Sequence, residues 1–195
     1  VPASLSGVVA IDAGYEHSLA LKSDGTVVAW GDNSKSQSSV PPNLTGVVAI
    51  AAGGYFNLAL KGDGTVVAWG DNENGETTLP PGLGNVVAIA AGGFHGLALK
   101  SDGSVVAWGW SGATAVPDTA VQIVAISAGG IHSIALKRDG TVIPWGRNDE
   151  GQLYVPSTVA PVAELGTGVY HSMVMQTTGS TLAWGDDGFG QSSAP

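Results

Sequence analysis

Four histidines, His17, His95, His132 and His171, occupy one and the same position of an internal repeat, and Phe56 takes that position in the second copy. Imidazole is a common zinc ligand, so four equivalent rings make metal binding the first chemistry to weigh. The spacing argues against it. One ring per repeat places successive imidazoles at successive unit boundaries, and Phe56 shows that the site accepts an apolar ring. A hydrogen-bonded structural role is the expectation, with no metal and no other cofactor.

Acid–base chemistry needs two carboxylates at a set separation in a concave site. Asp12 and Glu164 are the only acids on the first apolar run of any repeat, and their repeats would touch if the copies closed into a ring. Degeneracy of the outermost repeats explains them equally well. No Gly-x-Ser-x-Gly, His-Glu-x-x-His or phosphate-loop pattern is present, and there is no cysteine for thiol chemistry. Asp71-Asn72-Glu73-Asn74-Gly75 lacks the alternating ligands and distal Glu of a calcium loop. The chain is therefore read as non-enzymatic. Asn43-Leu44-Thr45 has the form of a glycosylation sequon on a connector, a pattern common by chance.

The elements that position these residues are set by the repeat. Ala-Trp-Gly or Pro-Trp-Gly recurs with Trp30, Trp69, Trp108, Trp145 and Trp184, at spacings of 39, 39, 37 and 39 residues. A period this regular is one supersecondary unit copied five times. In the second copy V-V-A-I-A-A-G, N-L-A-L-K and T-V-V-A-W-G are three short β-rich runs. Gly-Gly-x separates the first two, and Asp63-Gly64, the signal of a two-residue hairpin turn, separates the last two. A Pro-containing connector follows, where no ladder donor is needed. Three antiparallel strands with a return segment make a propeller blade, to which the connector could add a fourth strand. The fold expected is all-β: a β-propeller of five short blades in a single domain over 1–195, with repeats starting near 8, 47, 86, 123 and 162. The tryptophans read as core between blades. In the first run, small residues such as Ala49 and Ala51 are expected to face the axis and large ones such as Val48 and Ile50 the neighbouring blade.

Composition bounds the partners. With 44% hydrophobic residues and 30 glycines the chain suits short strands and tight turns. A net charge of −9 disfavours nucleic acid and anionic lipid. No apolar run approaches the roughly 20 residues of a membrane-spanning helix. The sequence opens without Met and reads as a mature or excised segment; an extracellular or cell-surface location is a weak expectation.

Strand direction sorts the charges. Three strands running up, down and up put the Gly-Gly-x turn and the polar stretch after Trp-Gly on one face, and the Asp-Gly turns on the other. The first face carries nine acids, among them Glu16, Asp32, Asp71, Glu73 and Glu76, against Lys35 and Arg147. The second is nearly balanced, with five cations (Lys22, Lys61, Lys100, Lys137, Arg138) against four aspartates. On the acidic face stand Tyr15, Glu16, Tyr55, Phe56, Phe94, Ile131 and Tyr170 in the first turns, and Trp110 in place of the Asp of Trp-Gly-Asp. Aromatic residues ringed by acids read as a protein interface with an apolar centre and polar rim, fitted to a partner with a basic patch. A lectin-like site with aromatics stacking on sugars is the main alternative, and a purely structural or self-assembling segment is another.

The runs V-V-A-I-A-A-G-G, L-A-L-K, D-G-T-V-V-A-W-G-D-N and G-Q-x-x-V-P resemble the regulator-of-chromosome-condensation repeat family over essentially the whole chain. The short period and Val-Pro connectors look closest to its compact bacterial branch, which includes the type II β-lactamase inhibitor protein. The resemblance implies a propeller, usually of seven blades, so that these five could be a segment of a larger ring. It also implies inhibitor-like binding through aromatics in the turn after the first strand, with a β-lactamase as one candidate partner. The opening Val1-Pro2-Ala3-Ser4-Leu5-Ser6-Gly7 matches the connector Val40 to Gly46, so 1–7 would complete the last repeat and close a monomeric five-blade ring. Without closure, apolar faces at Val8 and Trp184 would drive self-association.

Overall fold

The computed structural model of the chain describes residues 2, 3, 5–159 and 161–193. Its fifteen strands are β1 (Val8–Ala13), β2 (His17–Lys22), β3 (Val27–Gly31), β4 (Val47–Ala52), β5 (Phe56–Lys61), β6 (Val66–Gly70), β7 (Val86–Ala91), β8 (His95–Lys100), β9 (Val105–Gly109), β10 (Ile123–Ala128), β11 (His132–Lys137), β12 (Val142–Gly146), β13 (Val162–Thr167), β14 (His171–Gln176) and β15 (Thr181–Gly185). They form five three-stranded antiparallel sheets in chain order, one per repeat. No helix and no fourth strand occur among the described residues.

The middle strands of the first four blades are buried on both faces, which explains their near-continuous apolar reading. In each of the first four blades two large side chains point to the following blade, and in the second to fifth blades the residue between the corresponding positions points back. Leu19 and Leu21 meet Ala59 and Trp69; Leu58 and Leu60 meet Ala98 and Trp108; Leu97 and Leu99 meet Ala135 and Trp145. Ile134 and Leu136 meet Val174 and Trp184 in the last junction. Each such leucine contributes about 2 kcal/mol by leaving water. Trp69, Trp108, Trp145 and Trp184 are thus inter-blade core, whereas Trp30 of the first blade is only partly buried.

The innermost strands correct the expected orientation. Ile50 packs toward the first blade, while Ala49 and Ala51 pack against the third. Both side-chain faces of the strand meet neighbouring blades, so its backbone edge, not its small residues, fronts the axis. A register shift after the first residue of each inner strand leaves Val9, Val48, Val87 and Val124 outside the ladder and exposed, as bulged residues are.

The Asp-Gly turns differ from the two-residue form. Lys22 N donates to Thr26 O and Gly25 N to Lys22 O, a three-residue loop with Gly25 at φ +77°. This is a type I turn closed by a glycine bulge. Asp24 completes it by accepting from Thr26 N and Oγ1 at 3.0 and 2.5 Å.

Closure of the ring is not seen among the described residues. Successive inner strands touch from β1 to β13, but among the described residues no contact of like extent joins β13 to β1. On the first blade Ile11 is 76% exposed, where its counterpart Ile50 is partly buried. On the last, Met173 and Met175 are exposed where the other blades bury Leu or Ile. The described residues form an open arc. Val1, Ser4, Ala194 and Pro195, part of the supposed closing connector, lie outside them.

Candidate interaction face

The two loop sets lie where strand direction puts them. In every blade the residue after Trp-Gly donates its N–H to the turn between the first two strands: Asp32 to Glu16, Asp71 to Tyr55, Trp110 to Phe94, Arg147 to Ile131 and Asp186 to Tyr170. On the opposite face the Asp-Gly turns bond the start of the next blade, as Val47 N does to Gly25 O.

At the axis the first face is stitched by backbone. Tyr15 N donates to Gly54 O, Gly54 N to Gly92 O, Gly93 N to Gly129 O and Gly130 N to Val169 O, at 3.1–3.2 Å. Such proximity demands glycine. A Cβ on Gly92 would lie 2.3 Å from Gly129 O and 2.4 Å from His95 Cε1. Beneath these crossings lies an axial groove of about 420 Å³ lined by the inner strands of all five blades.

Tyr15 lies across the top of this groove. Its ring covers Gly54, its hydroxyl reaches Gly93, and it meets Tyr55 edge-on with ring centroids 5.5 Å apart. Burial, and then the neighbouring phenols of Tyr170 and Tyr55, raise the Tyr15 pKa above its ordinary value. Tyrosines from the first, second and last blades thereby converge at the mouth. Tyr15 and Tyr170 remain 44% and 45% exposed, Tyr55 and Phe94 are partly buried, and Glu16 is exposed beside them. Trp110 is partly buried and folds its ring over Gly112 in its own shortened loop.

Two expected members are not on this surface. Phe56 is wholly buried and fills the site that histidine fills in other blades; Ile131 is buried at 8% exposure. Glu76, counted among the surface acids, is also buried, with its carboxylate accepting from Asn74 N and Nδ2. Conversely, Tyr154 and Phe189 are 74% and 98% exposed and were missed. Both stand in loops after Trp-Gly, which the direction argument had already placed on this face, so the signal was available.

The histidines act between blades. Asn57 Nδ2 donates to Gln37 O, which leaves Asn57 Oδ1 to accept from His17 Nε2 at 2.7 Å. His95 and His132 pair likewise with Ser133 and Ser172 at 2.8 and 2.9 Å. Burial first, and then the next histidine along, lowers the pKa of His95 and of His132 to about 4. The indoles of Trp69 and Trp184 share the same clasp, donating to Gln37 O and Gln152 O. Of the two inner-strand acids, Asp12 accepts from Ala52 N at 2.8 Å in the next blade, and Glu164 is exposed on the open side of the last blade.

Loop chemistry differs by blade. Gln37 Nε2 donates to Asp32 and Gln191 Nε2 to Asp186. In the fourth blade Arg147 replaces the aspartate, and the buried Gln152 Nε2 has no acceptor. Lys35 reaches from the first blade to Asp71 (3.7 Å) and Glu73 of the second, tying adjacent loops together. On the opposite face Lys22, Lys61, Lys100 and Lys137 each pair with the aspartate two residues on.

The chain is similar to yeast (Saccharomyces cerevisiae) Prp20p, whose structure it matches at TM-score 0.79 and 25% identity over 96% of this chain and 59% of that one. It is also similar to the receptor-kinase CR4 ectodomain of Physcomitrella patens, at TM-score 0.73 and 26% identity over 92% of this chain and 50% of that one. Human WBSCR16 shares the fold, at TM-score 0.74 and 22% identity over 85% and 57%. The chain therefore spans between half and three fifths of the length of these proteins. No curated protein sequence matches it. The repeat model described as regulator of chromosome condensation (RCC1) repeat matches residues 8–37, 47–76, 86–113 and 123–152, the first four blades from inner strand to the loop after Trp-Gly. By these repeats and the propeller arc they build, the chain belongs to the RCC1 repeat family.

Proposed function

We propose that this chain is a non-enzymatic protein-binding module whose contact surface centres on Tyr15, Tyr55 and Tyr170. The observation that carries the reading is the convergence of three tyrosines from three blades over the axial groove, Tyr15 and Tyr170 half-exposed and Tyr55 partly buried, with the exposed Glu16 beside them. Amphipathic rings that keep solvent contact, with charged residues around them, have the anatomy of an interface core and rim. RCC1-like repeats commonly mediate protein–protein contact, and the yeast relative Prp20p is described as binding Gsp1p and histones. The acids on the same face as the tyrosines, Glu16 and Asp32 among them, favour a partner with a basic patch.

Tyr15→Ala and Tyr55→Ala each weaken partner binding roughly thirty-fold, the ~2 kcal/mol of a hot-spot residue. Lys61→Ala, on the opposite face, leaves it unchanged. Raising salt slows association. Equal losses from both faces contradict the assignment. β-Lactamase inhibition is the most specific form of this reading, supported only by the resemblance of the repeats. Nitrocefin hydrolysis that the chain does not slow at micromolar concentration rejects that form and leaves the broader one standing.

A further inference from the structure

In two blades the polar loop after Trp-Gly is built around one carboxylate and one glutamine. In the first blade Asp32 accepts from Ser34 N at 3.3 Å and from Gln37 Nε2 at 2.6 Å. In the last blade Asp186 accepts from Gly188 N at 3.0 Å and from Gln191 Nε2. The amide is held in a fixed sense, because its Oε1 accepts from a loop N–H: Gln37 from Lys35 N and Gln191 from Phe189 N, each at 2.8 Å. The second blade uses a different pair. There Glu76 replaces the glutamine, and Asp71 accepts from Glu73 N at 3.4 Å and faces Lys35 of the first blade.

The fourth blade keeps the donors and replaces the acceptor. Gln152 is wholly buried, and its Oε1 accepts from Glu150 N at 2.9 Å, which aims Nε2 as Gln37 Nε2 is aimed. That Nε2 has no acceptor among the described residues. Asp149 N stands at the position of Ser34 N and Gly188 N, and Arg147 stands where Asp32 and Asp186 supply their carboxylates. A guanidinium can only donate. Arg147 Nε donates to Asp149, which leaves the Nη groups for another acceptor. A buried amide, a backbone N–H and a cation thus stand around the place that a carboxylate fills in two other blades.

We propose that this loop is a binding site for a carboxylate carried by the protein partner, an Asp or Glu side chain that completes the fourth blade as Asp32 completes the first. The contacts are charge-assisted hydrogen bonds from Gln152 Nε2, Asp149 N and the Arg147 guanidinium. The site is reached from solvent past Arg147 and Asp149, both exposed. It lies on the face that carries the tyrosines, since Arg147 N donates to Ile131 O as Asp71 N does to Tyr55 O. The source of the ligand rests on the protein-binding reading above; the chemistry of the site does not. Asp149 and Glu150, both exposed, flank the site and oppose an anion. A free carboxylate therefore binds weakly, and within a complex the site fixes register more than strength.

Sodium acetate is the probe, compared with sodium chloride at matched ionic strength, and the side-chain amide and guanidinium resonances of the 15N-labelled chain are the readout. Acetate should move the Gln152 Nε2 pair and the Arg147 Nε–H saturably, with a midpoint on the order of 0.1 M. The Gln37 pair, whose acceptor is Asp32, should stay in place. Asp149→Asn, which removes a flanking charge, should lower the midpoint several-fold. Arg147→Asp, which supplies the carboxylate from within, should abolish the response and bring the Gln152 pair toward the Gln37 position. A cooperative melt establishes that each variant is folded. Chloride moving Gln152 as far as acetate does overturns the proposal. So does an equal response from Gln37, or a Gln152 pair that acetate leaves unmoved in both the unaltered chain and Asp149→Asn. None of these results bears on the tyrosine surface, which the Tyr15→Ala binding measurement tests separately.

Discussion

Acidification should unfold this propeller before any carboxylate matters, and the histidine clasps set the amount. His95 and His132 are fully buried, and burial lowers each pKa from 6.5 to about 4. A folded-state value below the unfolded one means that between pH 6.5 and 4 the unfolded chain binds more protons. Stability is therefore complete above the unfolded pKa and is lost as pH falls through this window. From pH 7 to 4.5 each histidine removes about 2.4 kcal/mol, so the pair removes about 5 kcal/mol, a large fraction of a marginal fold. The aspartates of the Asp-Gly turns act lower. Their pKa values lie below the carboxylate norm, chiefly through hydrogen bonds to the following Thr or Ser or, for Asp24, to Lys22, so their contribution is lost only below about pH 4. Urea unfolding followed by tryptophan fluorescence at pH 7 and 4.5 measures the loss. His95→Phe with Ser133→Gly, which copies the residues Phe56 and Gly96 that stand at the corresponding positions of the second and third blades, should recover about half of the pH dependence whatever it does to absolute stability. A stability flat across the window, or an unchanged slope in the double variant, refutes the reasoning.

Two further substitutions test the geometry in opposite directions. Arg147→Asp should raise stability by about 1 kcal/mol, because it gives the orphaned Gln152 Nε2 the acceptor that Asp32 gives Gln37; an unchanged or lower urea midpoint contradicts this. Gly92→Ala should cost about 3 kcal/mol, since its Cβ would strike both the Gly129 carbonyl and the His95 ring, and a near-neutral melt would show that the axial stitching is loose.

The repeat, its strands and its two faces were legible because they rest on local chemistry: the β-rich runs, the Asp-Gly turns and the direction of successive strands. The inter-blade role of the tryptophans was legible from size and recurrence. What failed depended on neighbours. Phe56 looked like a surface aromatic because its turn is polar, yet it sits at the histidine position and shares its burial. Ile131 follows Gly-Gly as Phe94 does, and only the packed structure separates them. The alternation Val48-Ala49-Ile50-Ala51 gave the correct period, but not that a strand edge faces the axis, nor the bulge that expels Val48. Closure was not legible for a comparable reason. Matching connector sequences say what could follow what, whereas the curvature of the ring is set by the contact between whole blades.

The claim that Tyr15, Tyr55 and Tyr170 form the contact surface is tested most directly by hydroxyl-radical footprinting of the chain with its bound partner. Val48, Val87 and Val124 report on the opposite face in the same experiment, since all three are exposed there. Oxidation of the three tyrosines should fall several-fold on binding while that of the valines stays constant. Protection of the valines with the tyrosines unchanged would place the interface on the wrong side of the propeller and contradict the account.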